Sequence, residues 1–490
     1  MNAIQIHPLD TVAVALLPLK AGATVCGVTL LQDIPQGHKF ALMEISKDSN
    51  VIKYGLPIGH ATANIRAGEH VHTHNVKTNL SETTEYVYRP QKFDFPSPAS
   101  PEPSFMGYFR ADGRAGVRNE IWIIPTVGCV NAVAQKIAEL ASAEVTGTVD
   151  GVYAFPHPYG CSQLGDDHAN TRRLLTSLCR HPNAGGVLIL GLGCENNTIS
   201  GMQDALGMYD ASRIKFLCCQ DTPDEISDGV ALVRELIETA SHDRRVSLPV
   251  SRLVVGLKCG GSDGLSGITA NPVVGRFSDR LISCGGSTIL TEIPEAFGAE
   301  TLIMNRAVNR QVFDEAVEAV NWFKHYFISH GQAVYENPSP GNKAGGITTL
   351  EDKSCGCIQK SGSMPLMGVI RYGERIQMSG LNLLYGPGND LVSSTALTAA
   401  GANLILFTTG RGTPFGAPAP TIKISTNTAL ASRKAAWIDF NAGTAAEKES
   451  LDVVAGKLFD YVLRVANGER TSAERLGARE ISIFKDGVTL

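Results

Sequence analysis

The 490-residue sequence predicts a multidomain α/β protein, with a small all-β module followed by two successive α/β domains. Three observations predict this. Residues 1–88 alternate short apolar runs with turn residues, residues 89–106 carry five prolines and no periodicity, and after Phe109 apolar runs alternate with helical segments. The length also exceeds what one hydrophobic core serves and suggests about three domains.

In the first module, apolar runs at 12–17, 24–31 and 51–54 and a turn at Ile58-Gly59 have the rhythm of short strands. The proline-rich stretch 89–106 reads as an extended linker. Over 107–248, strands at 120–126, 151–155 and 185–192 each lead into a helical segment, the signature of a parallel layer, and the polar stretch 241–249 closes the domain. The last domain, 249–490, opens with a strand at 253–257. It continues with strands at 287–292, 382–385, 403–408 and 421–425, a helix at 310–329, and a final helix at 445–466 for which Thr444 and Glu447 offer a capping box.

Hydrophobic residues make up 43%, charged residues 19%, and the 50 glycines are dispersed among apolar runs, so the composition is that of a folded enzyme. A net charge of -5 without any basic block excludes a nucleic-acid binder. The start, MNAIQIHPLDTVAVALLPLK, lacks the pattern of a secretory signal, and no apolar run reaches spanning length; a cytoplasmic protein without membrane contact is expected. Eleven cysteines, an odd number, point to reduced thiols.

Two glycine-rich loops, 258–272 and 337–346, concentrate groups that core packing does not need: Cys259, Ser262, Asp263 and Asn271 in the first, Asn342 and Lys343 in the second. They read either as tight turns at a sheet end or as a small-molecule site. Cys129, Cys161, Cys194 and Cys259 close four predicted strands, where open α/β sheets bind ligands; they are small hydrophobes or, for the first three, ligands of an iron–sulfur cluster. Gly191-Leu-Gly193 resembles a dinucleotide motif, but Asn196 replaces its third glycine. Gly410-Arg411-Gly412 presents either a carboxylate seat or a surface arginine on a turn. His70, His72 and His74 share one side of an extended segment, as metal ligands, as an acid–base group swung over another domain, or as a polar edge. Glu292 at a strand end and Asp352 could hold a divalent ion or serve as cap and ion pair.

The runs GHKFAL, VIKYGLPIG, HVHTHN, PTVGCVN, YGCSQLGDDH, GLGCEN, KCGGSDGLSGITANP, PSPGNKAGGITTLEDKS and TTGRGTP occur in this order. From end to end the chain resembles the altronate/galactarate dehydratase family. The resemblance implies a β-clip module of the SAF type at 1–88, a second α/β domain associated with dimerisation at 107–248, and a Rossmann-like C-terminal domain with a metal site at 249–490. It further implies dehydration of a sugar acid, D-altronate giving 2-dehydro-3-deoxy-D-gluconate, with Fe2+ or Mn2+, in hexuronate (galacturonate) catabolism, by a homodimer. A related acid such as galactarate, or an iron–sulfur dehydratase, is the alternative. A nicotinamide dehydrogenase and a non-catalytic sugar-acid binder are the competing classes.

The resemblance assigns no residue roles, so these follow from chemistry. Dehydrating a 2,3-dihydroxy acid takes a weakly acidic proton from carbon 2 and expels hydroxide from carbon 3, which a divalent metal and a tuned base assist. Cys259, Glu292, His72, His74 and Asp352 are the expected metal ligands. Lys343 is the expected base, with Lys353 behind it. Arg411 is expected to clamp the carboxylate, and Ser262, Asp263, Asn271 and Asn342 to bind substrate.

Overall fold

A computed structural model describes residues 2–80, 85–93 and 102–487. The N-terminal module is all-β. Its main sheet pairs Ala3–Ile4, Val12–Ala15, Lys39–Ala41 and His70–Val71, and a second sheet joins Asn50–Lys53, Leu56–Ala61 and Val76–Lys77. Val12, Ala41, Val51, Ile58 and Val71 meet between them as the module's core.

Part of the proline-rich stretch, 94–101, lies outside the described residues. Its end is not linker: Ser104–Phe109 is a strand that pairs antiparallel with Val246–Pro249, so the polar stretch that closes the domain is zipped to the one that opens it. Between them lies a parallel sheet of β1 (Glu120–Pro125), β2 (Gly151–Ala154), β3 (Ala184–Gly191) and β4 (Ile214–Cys218), in the order β2-β1-β3-β4. Both faces are buried. Leu188 and Leu190 pack against Val233 and Leu236, while Val187 and Ile189 pack against Leu174 and Met202 on the opposite side.

The C-terminal domain is built on a seven-stranded parallel sheet. Its strands are β5 (Val254–Cys259), β6 (Ser287–Leu290), β7 (Leu366–Ile370), β8 (Leu381–Leu384), β9 (Leu404–Thr409), β10 (Thr421–Ser425) and β11 (Phe440–Asn441). Their order is β7-β8-β6-β5-β9-β10-β11, so the winding reverses between β5 and β9. Helices α1 (Ala270–Ser283), α2 (Arg310–Ser329), α3 (Pro340–Ala344), α4 (Leu350–Cys357) and α5 (Leu451–Ala466) complete the parts used below. The capping box expected from Thr444 and Glu447 does not open α5. Those residues form a separate turn, Thr444–Glu447, and the Ser450 side chain accepts from Val453 N to cap the long helix. Among the described residues, no helix is long and apolar enough to cross a membrane.

Candidate active site

In an open parallel sheet the crevice lies beyond the carboxyl ends where the winding reverses. Here that point falls between Cys259, the last residue of β5, and the Gly410-Arg411 loop after β9. The two glycine-rich loops meet there: Asn342 Nδ2 donates to Ser262 O at 2.8 Å and Gly264 N to Gly345 O at 2.7 Å. Gly264 also admits the N-terminal module, since a Cβ there would stand 2.0 Å from Gly37 O.

Behind these loops lies a buried polar cluster. Cys259 Sγ is 3.5 Å from Cys357 Sγ, and both sulfurs are 3.5 Å from Glu295 Oε2. Three buried lysines surround them. Lys353 Nζ donates to Glu295 Oε1 at 2.7 Å, Lys360 Nζ stands 2.7 Å from Cys259 Sγ, and Lys258 Nζ bridges Glu292 and Asp390. Lys353 and Cys357 lie on α4 and Lys360 on the turn after it, a spacing of i, i+4 and i+7 that puts all three on one face. Glu292 sits just past β6 with φ 67°, a left-handed conformation that a residue other than glycine adopts only at a cost of about 1–3 kcal/mol. Its Oε2 accepts from Cys259 N at 3.0 Å.

These contacts set the protonation states. A hydrogen bond from the Cys357 thiol, helped by the Lys360 charge, draws Cys259 down to about 6 despite its burial. Burial and the Cys259 charge push Glu292 up to about 8, against the pull of Lys258 and Lys360. The two groups face each other at 3.6 Å and titrate as a unit, so near neutrality Cys259 is the thiolate and Glu292 holds a proton. Burial would raise Glu295, but Lys353, Lys258 and Lys360 hold it down to about 2, as a carboxylate. Burial likewise works against the Lys353 charge, and Glu295 and Cys357 outweigh it, raising Lys353 above the usual lysine range.

The N-terminal module covers this cluster from above. Its buried Lys39 and Lys53 each reach an oxygen of Asp352 on α4 at 2.8 Å, and Lys39 also donates to Gly346 O at 2.8 Å. Thr78 and Asn79 donate to Glu351. Beside Lys39, His38 Nδ1 lies 3.0 Å from His70 Nε2, and His72 Nδ1 lies 3.3 Å from Thr348 Oγ1. Burial is the main cause that lowers all three imidazoles, His70 to about 4 and His72 to about 3, so they are neutral at pH 7.

The expected site residues are thus distributed unevenly. Cys259 and Glu292 stand in the cluster, and Lys353 with them. Asp352 sits one residue off the cluster's face of α4, and its two oxygens accept from Lys39, Lys53 and Thr348 N. His70, His72 and His74 do not line one extended strand: the strand stops at Val71, a turn closes with Asn75 N donating to His72 O at 3.0 Å, and His74 is left exposed against the His70 ring. Lys343 is exposed on α3. Arg411 is exposed too, and its Nη1 donates to Gly341 O at 3.1 Å. Asp263, Asn271 and Asn342 spend their polar atoms fastening the loops: Asp263 accepts from Thr426, Ser266 and Leu265 N, and Asn271 links Gly356 O to Thr408. Ser262 is buried between the loops. Sequence reasoning missed Glu295, Cys357, Lys360, Lys258 and His38.

Buried groups with pKa values driven apart around a switch-point crevice define an acid–base enzyme. The chain belongs to the D-galactarate/altronate dehydratase family. Residues 1–79 match the altronate/galactarate dehydratase SAF domain, 107–241 the D-galactarate dehydratase/altronate hydrolase second domain, and 250–489 the D-galactarate/altronate dehydratase C-terminal domain. Altronate dehydratase of Escherichia coli (strain K12) is 53% identical, with 100% of both chains covered, and altronate dehydratase of Bacillus subtilis (strain 168) is 52% identical, with 99% of both covered. The L-threo-forming galactarate dehydratase of Escherichia coli (strain K12) is 35% identical over 98% of this chain and 96% of its own.

Proposed function

We propose that the chain is a hydro-lyase that converts D-altronate to 2-dehydro-3-deoxy-D-gluconate and water. The observation that carries this reading is the full-length similarity at 52–53% to altronate dehydratases, against 35% to a galactarate dehydratase. The strand order supports reading the C-terminal domain as Rossmann-like, with its site at the winding reversal. The same family membership supports a cytoplasmic homodimer acting in hexuronate breakdown, and sedimentation of the purified chain tests the dimer.

A ferrous or manganous ion fits the triad of Cys259, Cys357 and Glu295. Donor separations of 3.5 Å match the edges of about 3.3–3.8 Å expected for a tetrahedral ion with sulfur and oxygen ligands. Two sulfurs favour iron over manganese. Bound there, the ion would supply Lewis acidity that spreads the enediolate charge. The residues supply the proton transfers. A neutral imidazole of the His38, His70 and His72 group takes the carbon-2 proton, and the hydrogen-bonded pair His38–His70 can share it. Glu292 gives its proton to the departing carbon-3 hydroxyl. Lys353 keeps Glu295 ionised, and the module excludes water.

Metal-depleted protein, assayed anaerobically with D-altronate, should form 2-keto acid only after ferrous or manganous ion is restored. Absence of product with either ion would overturn the reading. Two further outcomes are expected. Lys343→Ala should leave kcat within a few-fold of the parent, because its side chain stands in solvent, and a loss of about 10²-fold would restore Lys343 as the base. Metal uptake should weaken as pH drops, because a proton on Cys259 competes with the ion for the sulfur, and kcat of the loaded enzyme should fall at alkaline pH, where Glu292, its carboxyl raised by burial, loses its proton.

A further inference from the structure

The dehydration leaves one group of thiols unused. Strands β2, β1 and β3 lie side by side and parallel, so their carboxyl ends open on one edge of the second domain's sheet. Cys129, Cys161 and Cys194 follow those three ends, and all three are exposed. A free thiol that serves only as a small hydrophobe is normally buried, as Cys179, Cys284 and Cys355 are in this chain.

The loops that carry the three cysteines are fastened to one another by polar bonds. Gly128 N donates to Tyr159 O at 2.9 Å, Asn197 N to Gly160 O at 2.9 Å, and Ser162 N to Asn196 Oδ1 at 2.8 Å. Buried Glu195 accepts from Thr126 Oγ1 at 2.6 Å and from Leu192 N and Gly193 N at 3.0 and 2.6 Å. A Cβ on Gly160 would stand 2.0 Å from Thr126 O, so the approach of these loops depends on that glycine. Each cysteine is thus held by a preformed frame, as a ligating shell requires. Beside Cys161, the buried Gln163 accepts from Gly160 N at 3.1 Å while its Nε2 donor has no partner. An orphaned buried donor calls for an acceptor that protein atoms do not provide.

The three sulfurs do not gather within 4.8 Å of one another, the grouping that suits a single ion; among the described residues only Cys259, Glu295 and Cys357 do so. A polynuclear centre spreads its ligands more widely. We propose that Cys129, Cys161 and Cys194 hold an iron–sulfur cluster through three thiolates, each thiol losing its proton on ligation, and leave one iron without a protein ligand. Cys218 at the end of β4 is less exposed than these three, and its thiol donates to Leu192 O at 3.4 Å. The inorganic sulfide supplies the acceptor that Gln163 lacks. This centre is separate from the Cys259 site and does not depend on it.

The test is anaerobic purification of the full chain, reconstitution with a mixture of ferric and ferrous iron and with sulfide, and measurement of visible absorption, iron and acid-labile sulfide. The parent and Cys259→Ser should show a broad visible band that bleaches on reduction, with iron and sulfide in comparable amounts. Cys129→Ser, Cys161→Ser and Cys194→Ser should each lose it while keeping the parent's circular dichroism. In the parent alone, the loaded centre should shield these three thiols from alkylation while exposed Cys26 still reacts. A parent that takes up no sulfide, binds zinc or iron without sulfide, or leaves the three thiols reactive after reconstitution overturns the proposal, as does a band that survives loss of all three cysteines.

Discussion

Glu292→Gln is expected to lower kcat for altronate dehydration by about 10²–10⁴-fold, the range lost with a positioned proton donor. The amide keeps the shape of the side chain, and its one oxygen can still accept from Lys258 or from Cys259 N; Lys258 also keeps Asp390 and Cys259 O, so the fold should stand. What disappears is the proton held between Cys259 and Glu292. The alkaline fall in kcat should disappear with it, while the weakening of metal uptake at low pH, set by Cys259, stays. Steady-state rates and metal uptake across the pH range measure both. Parent-like kcat in the glutamine variant would show that the hydroxyl leaves with another group's proton.

Asp352→Asn should cost about 3–5 kcal/mol of stability, because it strands Lys39 and Lys53 as buried charges without a counterion. Burial alone would raise the Asp352 carboxyl, but the two ammonium groups hold it well below the usual carboxylate range. The stabilisation is therefore complete above about pH 4, where the unfolded carboxylate ionises, and fades only as pH falls through the lower folded value. Chemical denaturation at neutral pH measures the loss. Adding Lys39→Met to Asp352→Asn should recover part of it, since an uncharged pair is tolerated where a single buried charge is not. Unchanged stability in the single variant would mean that water reaches the interface.

The large architecture was legible because strand and helix periods differ and because turn residues punctuate them. Cys259 and Glu292 were legible because both lie at the carboxyl ends of apolar strands. Lys353, Cys357 and Lys360 were legible in principle through their spacing: the same helical period that brings them together turns Asp352 about 100° away, towards the module. His38 carried no local signal. It reaches the other imidazoles through strand pairing, in which Phe40 faces His70, and register of that kind is not written in either segment alone. Lys343 misled because glycine density marks where backbones approach closely, and at Gly264 and Gly346 the guest is the module's own chain.

The ribbon formed by Ser104–Phe109 and Val246–Pro249 brings the two ends of the second domain side by side, with Val250 N donating to Pro103 O at 3.0 Å. In connectivity that domain is a cassette: the chain leaves the catalytic half and re-enters it at one point, so its removal would open only a single hydrogen-bonded gap. Side chains say otherwise. Arg118 clasps Glu474, Asn183 reaches Asn403 O, and Asn403 reaches Ala115 O, all buried. A graft or deletion that respects the backbone would still expose these partners, so the cassette can be exchanged only for another that presents the same arginine and asparagine to its host.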